Sequence, residues 1–325
     1  MNIFITGGSG FIGHYITNLL QVNNTVTVYD SKTEYGVFSE SEVRRMHYDR
    51  RKFISGQIIT ADIRDTKHLL SSMMVSKPSV IIHLASLPRA KVVNEQPVLG
   101  SEVMSTALLS LLTQAKMHKV ARFVYVSSSM VYGNFTDDTD EDAICNPKGI
   151  YGILKYAGEL LVKDFCLANN IEYVIVRPSA VYGPRDIEDR VMSKFVMDAI
   201  RNNPLYVRGP DEILDFTYVA DVAAGIVSAT VNPLAANSTF NLTLGNGYSL
   251  LDAAKLAVEL VNSSSKIVVT DRDKTYPTRG VLNSNRAKSL LGFSPSINLE
   301  DGLVQYIKWA GDYISSQTVN PAIPS

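Results

Sequence analysis

The sequence predicts an α/β protein, a Rossmann-type doubly wound parallel sheet with a smaller C-terminal substrate-binding lobe. Three observations point there. Short β-branched runs alternate with longer helical patterns through the first half, as parallel strands joined by crossover helices require. A glycine-rich turn, Thr6-Gly7-Gly8-Ser9-Gly10-Phe11-Ile12-Gly13, follows the first of those runs. Beyond Pro178 the rhythm shortens, with Gly183, Pro184, Pro204, Gly209 and Pro210 separating brief elements.

Strands are predicted at Asn2–Thr6, Thr25–Tyr29, Gln57–Thr60, Val80–His83, Arg122–Ser127 and Glu172–Arg177, each short and rich in Val, Ile, Tyr or Thr. Several are continuously apolar, as expected of strands covered on both faces. Helices are predicted over Gly10–Gln21, Thr66–Val75, Val98–His118 and Ile150–Asn169. Two long irregular stretches, Ala85–Pro97 and Tyr132–Gly149, leave the C-terminal ends of strands, where open α/β sheets bind ligands. A helix at Tyr218–Thr230 and a strand near Thr239–Leu242 are expected to return to the main sheet. The predicted division is therefore 1–177 for the dinucleotide-binding domain, with 218–242 rejoining it. Residues 178–316 mainly form the lobe, and 317–325 form a loose polar tail.

Composition excludes several function classes. An apolar fraction of 46%, a charged fraction of 19% and a net charge of −1 are ordinary for a globular protein and give no reason to expect nucleic acid or an anionic membrane. No apolar run is expected to reach the roughly 18 residues of a spanning helix. No secretory signal precedes the first strand, and Cys145 and Cys166 are too few for a disulfide framework, so a cytoplasmic protein is expected. No metal site is expected. The charge-dense stretch Arg44–Lys52 mixes signs and reads as a solvated insertion without a function.

The glycine turn sits between a predicted strand and helix. Gly7 and Gly10 permit the tight turn and close approach of a pyrophosphate, and Gly13 permits close helix–strand packing. Phe11 and Ile12 open the helix whose N-terminus favours the phosphates. Asp30 ends the second strand, seventeen residues after Gly13, where it would accept bonds from the adenosine ribose and repel a 2′-phosphate. No arginine adjoins it, so NAD is preferred over NADP. Tyr151 and Lys155, four residues apart, share one helix face. An ammonium there lowers a phenol pKa of about 10 towards neutrality. Such a phenol exchanges a proton with a substrate alcohol.

With Asp62-Ile63-Arg64-Asp65, His83-Leu84-Ala85-Ser86, Ser127-Ser128-Ser129-Met130-Val131-Tyr132-Gly133, Arg177-Pro178 through Tyr182-Gly183-Pro184 and Leu291-Gly292-Phe293, nearly the whole chain resembles the extended short-chain dehydrogenase/reductase superfamily. Within it, the resemblance is to the NAD-dependent epimerase/dehydratase group acting on nucleotide sugars. The resemblance implies that Asp62 binds the adenine amino group and the Ile63 backbone pairs with the ring. Ala85 and Ser86 are implied to line the nicotinamide side, and Leu84 and Pro178 to contact the cofactor. It makes Ser128, three positions before Val131, the hydroxyl that holds the reacting substrate oxygen, with Ser129 the second candidate. Tyr151 becomes the acid–base group, and Lys155 tunes it and holds the nicotinamide ribose. A homodimer through the helices near Val98–His118 and Ile150–Asn169 is also implied.

The same resemblance separates reactions. Eliminating relatives carry an Asp-Glu pair after the catalytic hydroxyl and decarboxylating relatives keep a glutamate there, whereas Ser129 and Met130 stand here. A 4-epimerase, working through a transient 4-keto sugar, needs neither. Three departures affect the substrate half. Ala180 follows Ser179 where an asparagine usually faces the diphosphate, Leu214 replaces an arginine before Asp215-Phe216, and Glu102-Val103-Met104-Ser105-Thr106 lacks a usual asparagine. Arg279, Arg185 and Arg208 are candidate replacement cations, and Arg89 and Lys91 could also reach the substrate. The alternatives are a dehydrogenase or reductase of a sugar or small ketone lacking a nucleotide, and a non-catalytic dinucleotide-binding regulator.

Overall fold

The computed structural model describes residues 1–33, 39–87, 89–186 and 189–319, with side chains to Ser315. Its central sheet is parallel throughout. β1 (Asn2–Thr6), β2 (Thr25–Asp30), β3 (Gln57–Thr60), β4 (Val80–His83), β5 (Arg122–Val126) and β6 (Glu172–Pro178) are joined by the strand Ser238–Leu242. Read across the sheet, the order is Ser238–Leu242, β6, β5, β4, β1, β2, β3. Chain order reverses between β1 and β4, which opens a crevice at their C-terminal ends.

Alternation along the strands builds two cores. Ile3, Ile5, Val28, Ile82 and Val124 pack beneath the helices Phe11–Leu20 and Val219–Val231. Phe4, Ile81, Phe123, Tyr125 and Ile175 face the opposite way, against Thr66–Ser76, Ala107–Met117 and Gly149–Ala168. Each fully buried aliphatic or aromatic side chain contributes about 1.5–3 kcal/mol. A third core holds the lobe, where Phe195, Phe216, Ala253, Leu303 and Tyr306 join the helices Val191–Ile200, Leu250–Val261 and Leu299–Val319. Three two-stranded sheets link the lobe: Val181–Tyr182 with Thr217–Tyr218, Ile213–Asp215 with Gly247–Ser249, and Leu205–Arg208 with Ile267–Thr270.

Several elements differ from the sequence reading. The helix predicted over Val98–His118 is interrupted by a π-helical turn, Glu102–Thr106, between Pro97–Ser101 and Ala107–Met117. The wider turn carries Val103 and Met104 into the core. Counted as one run, Pro97–Met117 does have the length and apolarity of a membrane-spanning helix, contrary to expectation, but 50% of it is buried within the fold. Ala90–Glu95, read as irregular, is a short helix. The last helix runs to Val319, through the start of the predicted tail, and residues 320–325 lie outside the described part.

The largest correction concerns the charged stretch. Glu40–Arg51 is a helix whose Met46 and Arg50 are buried. Its Asp49 pairs with Arg185 at 2.9 Å and accepts from Trp309 Nε1 at 3.1 Å. Charge composition suggested a solvated segment, but one face packs on the lobe. Ser39 and Glu42 form the capping box that starts the helix, a local signal present in the sequence.

Candidate active site

The crevice is built by the loops that leave β1 and β4. Gly7 donates its N–H to Tyr29 O at 2.9 Å, and Gly10 donates to Gly7 O at 3.1 Å. Gly7 sits at φ +73°, and a Cβ there would come within 2.8 Å of Ala85 N. At Gly13 a Cβ would lie 2.2 Å from Gly7 O, so both positions exclude a side chain. Thr6 Oγ1 and His83 Nδ1 are 2.7 Å apart and tie the two strand ends together. Burial pushes His83 down to about 3, leaving its ring neutral. Asp30 accepts from Ser9 N–H at 2.9 Å and from Lys32 N–H at 2.8 Å, so it braces the turn while lining the cleft.

A cavity of ≈ 1230 Å³ runs along these loops. Gly7, Gly10, Phe11, Ile12, Gly13, Asp30, Asp62, Ile63, Leu84, Ala85 and Ser86 line one stretch of it, and Ser128, Ser129, Tyr151, Lys155, Pro178, Ser179 and Ala180 line another. The elongated cleft, the bare glycine turn and the carboxylate at the end of β2 suit a dinucleotide. Asp62 is engaged by Arg64 at 2.7 Å, and that contact lowers its pKa.

The candidate catalytic side chains come from two elements. Ser128 follows β5 and caps the turn Ser129–Tyr132, its Oγ accepting from Met130 N–H at 3.2 Å. Ser129, the second candidate, is 1% exposed and donates to Ser179 Oγ at 3.2 Å, which leaves Ser128 the more open hydroxyl. Tyr151 and Lys155 lie on the helix Gly149–Ala168. Lys155 Nζ donates to Val126 O at 2.9 Å and stands 6.0 Å from the Tyr151 ring centroid. Burial lowers Lys155 to about 8, opposed by Glu159. Burial also raises the Tyr151 phenol, while the Arg190 charge and the Ser128 hydroxyl pull it back. Lys155 thus stands on the same helix as Tyr151, with its ammonium on the Val126 carbonyl. At about 8 the amine remains mostly protonated at neutral pH.

Residues 3–243 match the model of the NAD dependent epimerase/dehydratase family. The chain belongs to that family. As a member it is an NAD-dependent enzyme. Its relatives include the uncharacterized UDP-glucose epimerase YtcB of Bacillus subtilis, 27% identical over 318 residues that cover 95% of this chain and 98% of that one. UDP-glucuronic acid decarboxylase 3 of Arabidopsis thaliana is 28% identical, over 93% of this chain and 87% of its own. Among solved structures, UDP-glucuronic acid 4-epimerase from Bacillus cereus, in complex with UDP-glucuronic acid and NAD, superposes with a TM-score of 0.87. It is 25% identical, covering 96% of this chain and 99% of that one.

In this family member the replacement cations separate clearly. Arg185 is absent from the cavity wall, because its guanidinium lies 4.2 Å over Phe53 and pairs with Asp49. Among the described residues, Arg208 and Arg279 line the cavity with no hydrogen bond or ion pair to either guanidinium. Burial lowers Arg279 to about 10, so it stays a cation at neutral pH. Leu214 is 5% exposed and packs in the lobe core, out of reach of a ligand. Arg89 is buried in an ion pair with Asp189, which Lys194 also approaches at 3.2 Å. Sequence reasoning missed His47, Arg50 and Arg190, all on the cavity wall. Arg50 donates from Nε and Nη2 to Arg185 O at 3.2 and 3.0 Å. Only the capping box hinted at the helix that carries His47 and Arg50, and nothing local pointed to Arg190.

Proposed function

We propose that the enzyme epimerises a nucleotide sugar, inverting C4 through a transient 4-keto sugar. The observation that carries this reading is that Ser128 and Tyr151 line the cavity together while the two positions after Ser128 carry no carboxylate. Ser129 is buried on Ser179, and Met130 is 9% exposed. Neither supplies the acid or base that elimination demands. Bound NAD supplies a hydride acceptor that can also return the hydride. Ser128 would orient the reacting hydroxyl, and Tyr151 would take its proton and later give it back. Lys155, held on Val126 O, would face the nicotinamide ribose. Asp30 would hold the adenosine ribose. Arg279, with Arg208, would take the place of the missing family contacts to the diphosphate, as two guanidinium groups suit paired phosphates.

The test is chromatography of UDP-, dTDP-, GDP- and CDP-sugars after incubation with the protein and NAD. A new isomer of one sugar, formed without net reduced cofactor, is the expected result, with KM raised in Arg279→Met. Net cofactor reduction would point instead to a dehydrogenase of a sugar or ketone.

We also infer a homodimer. Leu109, Ile153, Leu160 and Leu167 are 42%, 51%, 50% and 58% exposed on the helices Ala107–Met117 and Gly149–Ala168, and a second copy of these helices would cover them. Light scattering should give twice the chain mass. A monomer at micromolar concentration would end the idea.

A further inference from the structure

Arg279 is the cation on which the proposed diphosphate contact depends, yet among the described residues no hydrogen bond or ion pair fixes its guanidinium. Glu212, the carboxylate whose charge it feels, pairs with Arg272 at 2.8 Å. What aims the side chain is therefore its backbone, and that backbone is pinned on both sides. Thr278 N–H donates to Asn134 Oδ1 at 3.0 Å, and Val281 N–H donates to Asp137 Oδ1 at 2.9 Å. Phe135 N–H returns a bond to Thr278 O at 3.1 Å, and Asn283 N–H donates to Thr139 O at 2.9 Å. Between these pins, a Cβ on Gly280 would lie 2.5 Å from Thr136 C and 2.7 Å from Asp137 N, so the two segments touch backbone to backbone. Leu282 anchors the contact, buried with Val131, Tyr132 and Phe135.

The gripping segment is the connection between the Ser128 turn and the Tyr151 helix. It leaves the turn Ser129–Tyr132 and closes on itself before Gly149–Ala168. There Asn146 N–H donates to Tyr132 O at 3.4 Å, and a Cβ on Gly133 would collide with Asn146 O. A loop whose ends meet and whose own side chains pack holds its shape. Its Asn134 and Asp137 are exposed and do not line the cavity.

We propose that Asn134 and Asp137 are positioning residues for the substrate, gripping the backbone on either side of Arg279 so that its guanidinium meets the diphosphate of a nucleotide sugar. The proposal rests on Arg279 being the diphosphate cation of the reading above. An arginine side chain has many rotamers to lose, and a fixed backbone lowers the cost of ordering it. The same loop joins Ser128 to Tyr151, so one element places the diphosphate relative to the acid–base pair.

The experiment titrates the full NAD-loaded chain with UDP, dTDP, GDP and CDP by isothermal calorimetry. Asp137→Ala and Asn134→Ala should each weaken the diphosphate that binds by about tenfold, within the coupling that contacting residues show, and leave NAD affinity unchanged. Asp137→Asn keeps an acceptor and should stay near wild type. In an Arg279→Met background, Asp137→Ala should cost nothing further, because the grip acts only through that side chain. With a sugar that turns over, KM should rise in the alanine variants while kcat holds. Equal costs of Asp137→Ala with and without Arg279 overturn the proposal, since a loosened lobe would weaken binding in both backgrounds. Unchanged diphosphate affinity in either alanine variant also overturns it. If Asp137→Ala does not fold, Asn134→Ala carries the same cycle. If no diphosphate binds the wild-type chain, or Arg279→Met binds it as well, the diphosphate reading of Arg279 fails and this proposal falls with it. Weakening in Arg279→Met alone leaves that reading standing and ends only the role of Asn134 and Asp137.

Discussion

Replacing Tyr151 by Phe is expected to lower kcat by about 10²–10⁴-fold, the range that a positioned acid–base group contributes. The ring stays, so the packing of Gly149–Ala168 and the contacts of Lys155 should survive. NAD affinity, measured by titration of the free protein, should change little. The physical reason is that hydride loss from an alcohol carbon leaves an oxygen that must shed its proton. Lys155 is tied to Val126 O and Ser128 is a weak base, so no neighbour among these replaces the phenol. A variant that keeps more than a tenth of wild-type kcat would mean that the proton leaves by another route.

Arg177→Met is expected to destabilise the fold by about 3–5 kcal/mol, as breaking a buried ion pair does. Arg177 donates to both Glu159 oxygens, at 2.9 and 2.6 Å, with the two side chains 3% and 0% exposed. A third bond runs to Tyr132 Oη at 2.8 Å. The variant strands a carboxylate in an apolar core, one turn beyond Lys155. Removing both charges in Arg177→Met/Glu159→Leu should recover much of the loss, because an uncharged pair carries no desolvation cost. Urea unfolding midpoints at unchanged m-value are the measurement. Equal losses in the single and double variants would show that packing, and not the stranded charge, sets the cost.

The seven-stranded sheet illustrates how far local chemistry reaches. β4 reads Val-Ile-Ile-His and is buried at every position, so its place inside a doubly covered sheet was legible from composition. The glycine turn was legible too, because the close contacts at Gly7 and Gly13 admit no other residue. The helix Glu40–Arg51 shows where reading by charge fails. Seven of its twelve residues are charged, yet Met46 and Arg50 find a buried face on a lobe that is distant in sequence.

The sequence by itself determined the Rossmann sheet, the dinucleotide turn and the residue types of the proposed acid–base pair. These depend on periodicity, on glycine backbone freedom and on spacing along one helix, all of which are local. Tertiary structure alone decided where each charge sits relative to the cavity. It spent Arg185 on Asp49, left Arg279 facing the cavity, drew Lys155 to a carbonyl and brought Arg190 over Phe11. A guanidinium or ammonium has no preferred partner in sequence. Its role follows from the distances and burial that folding sets around it.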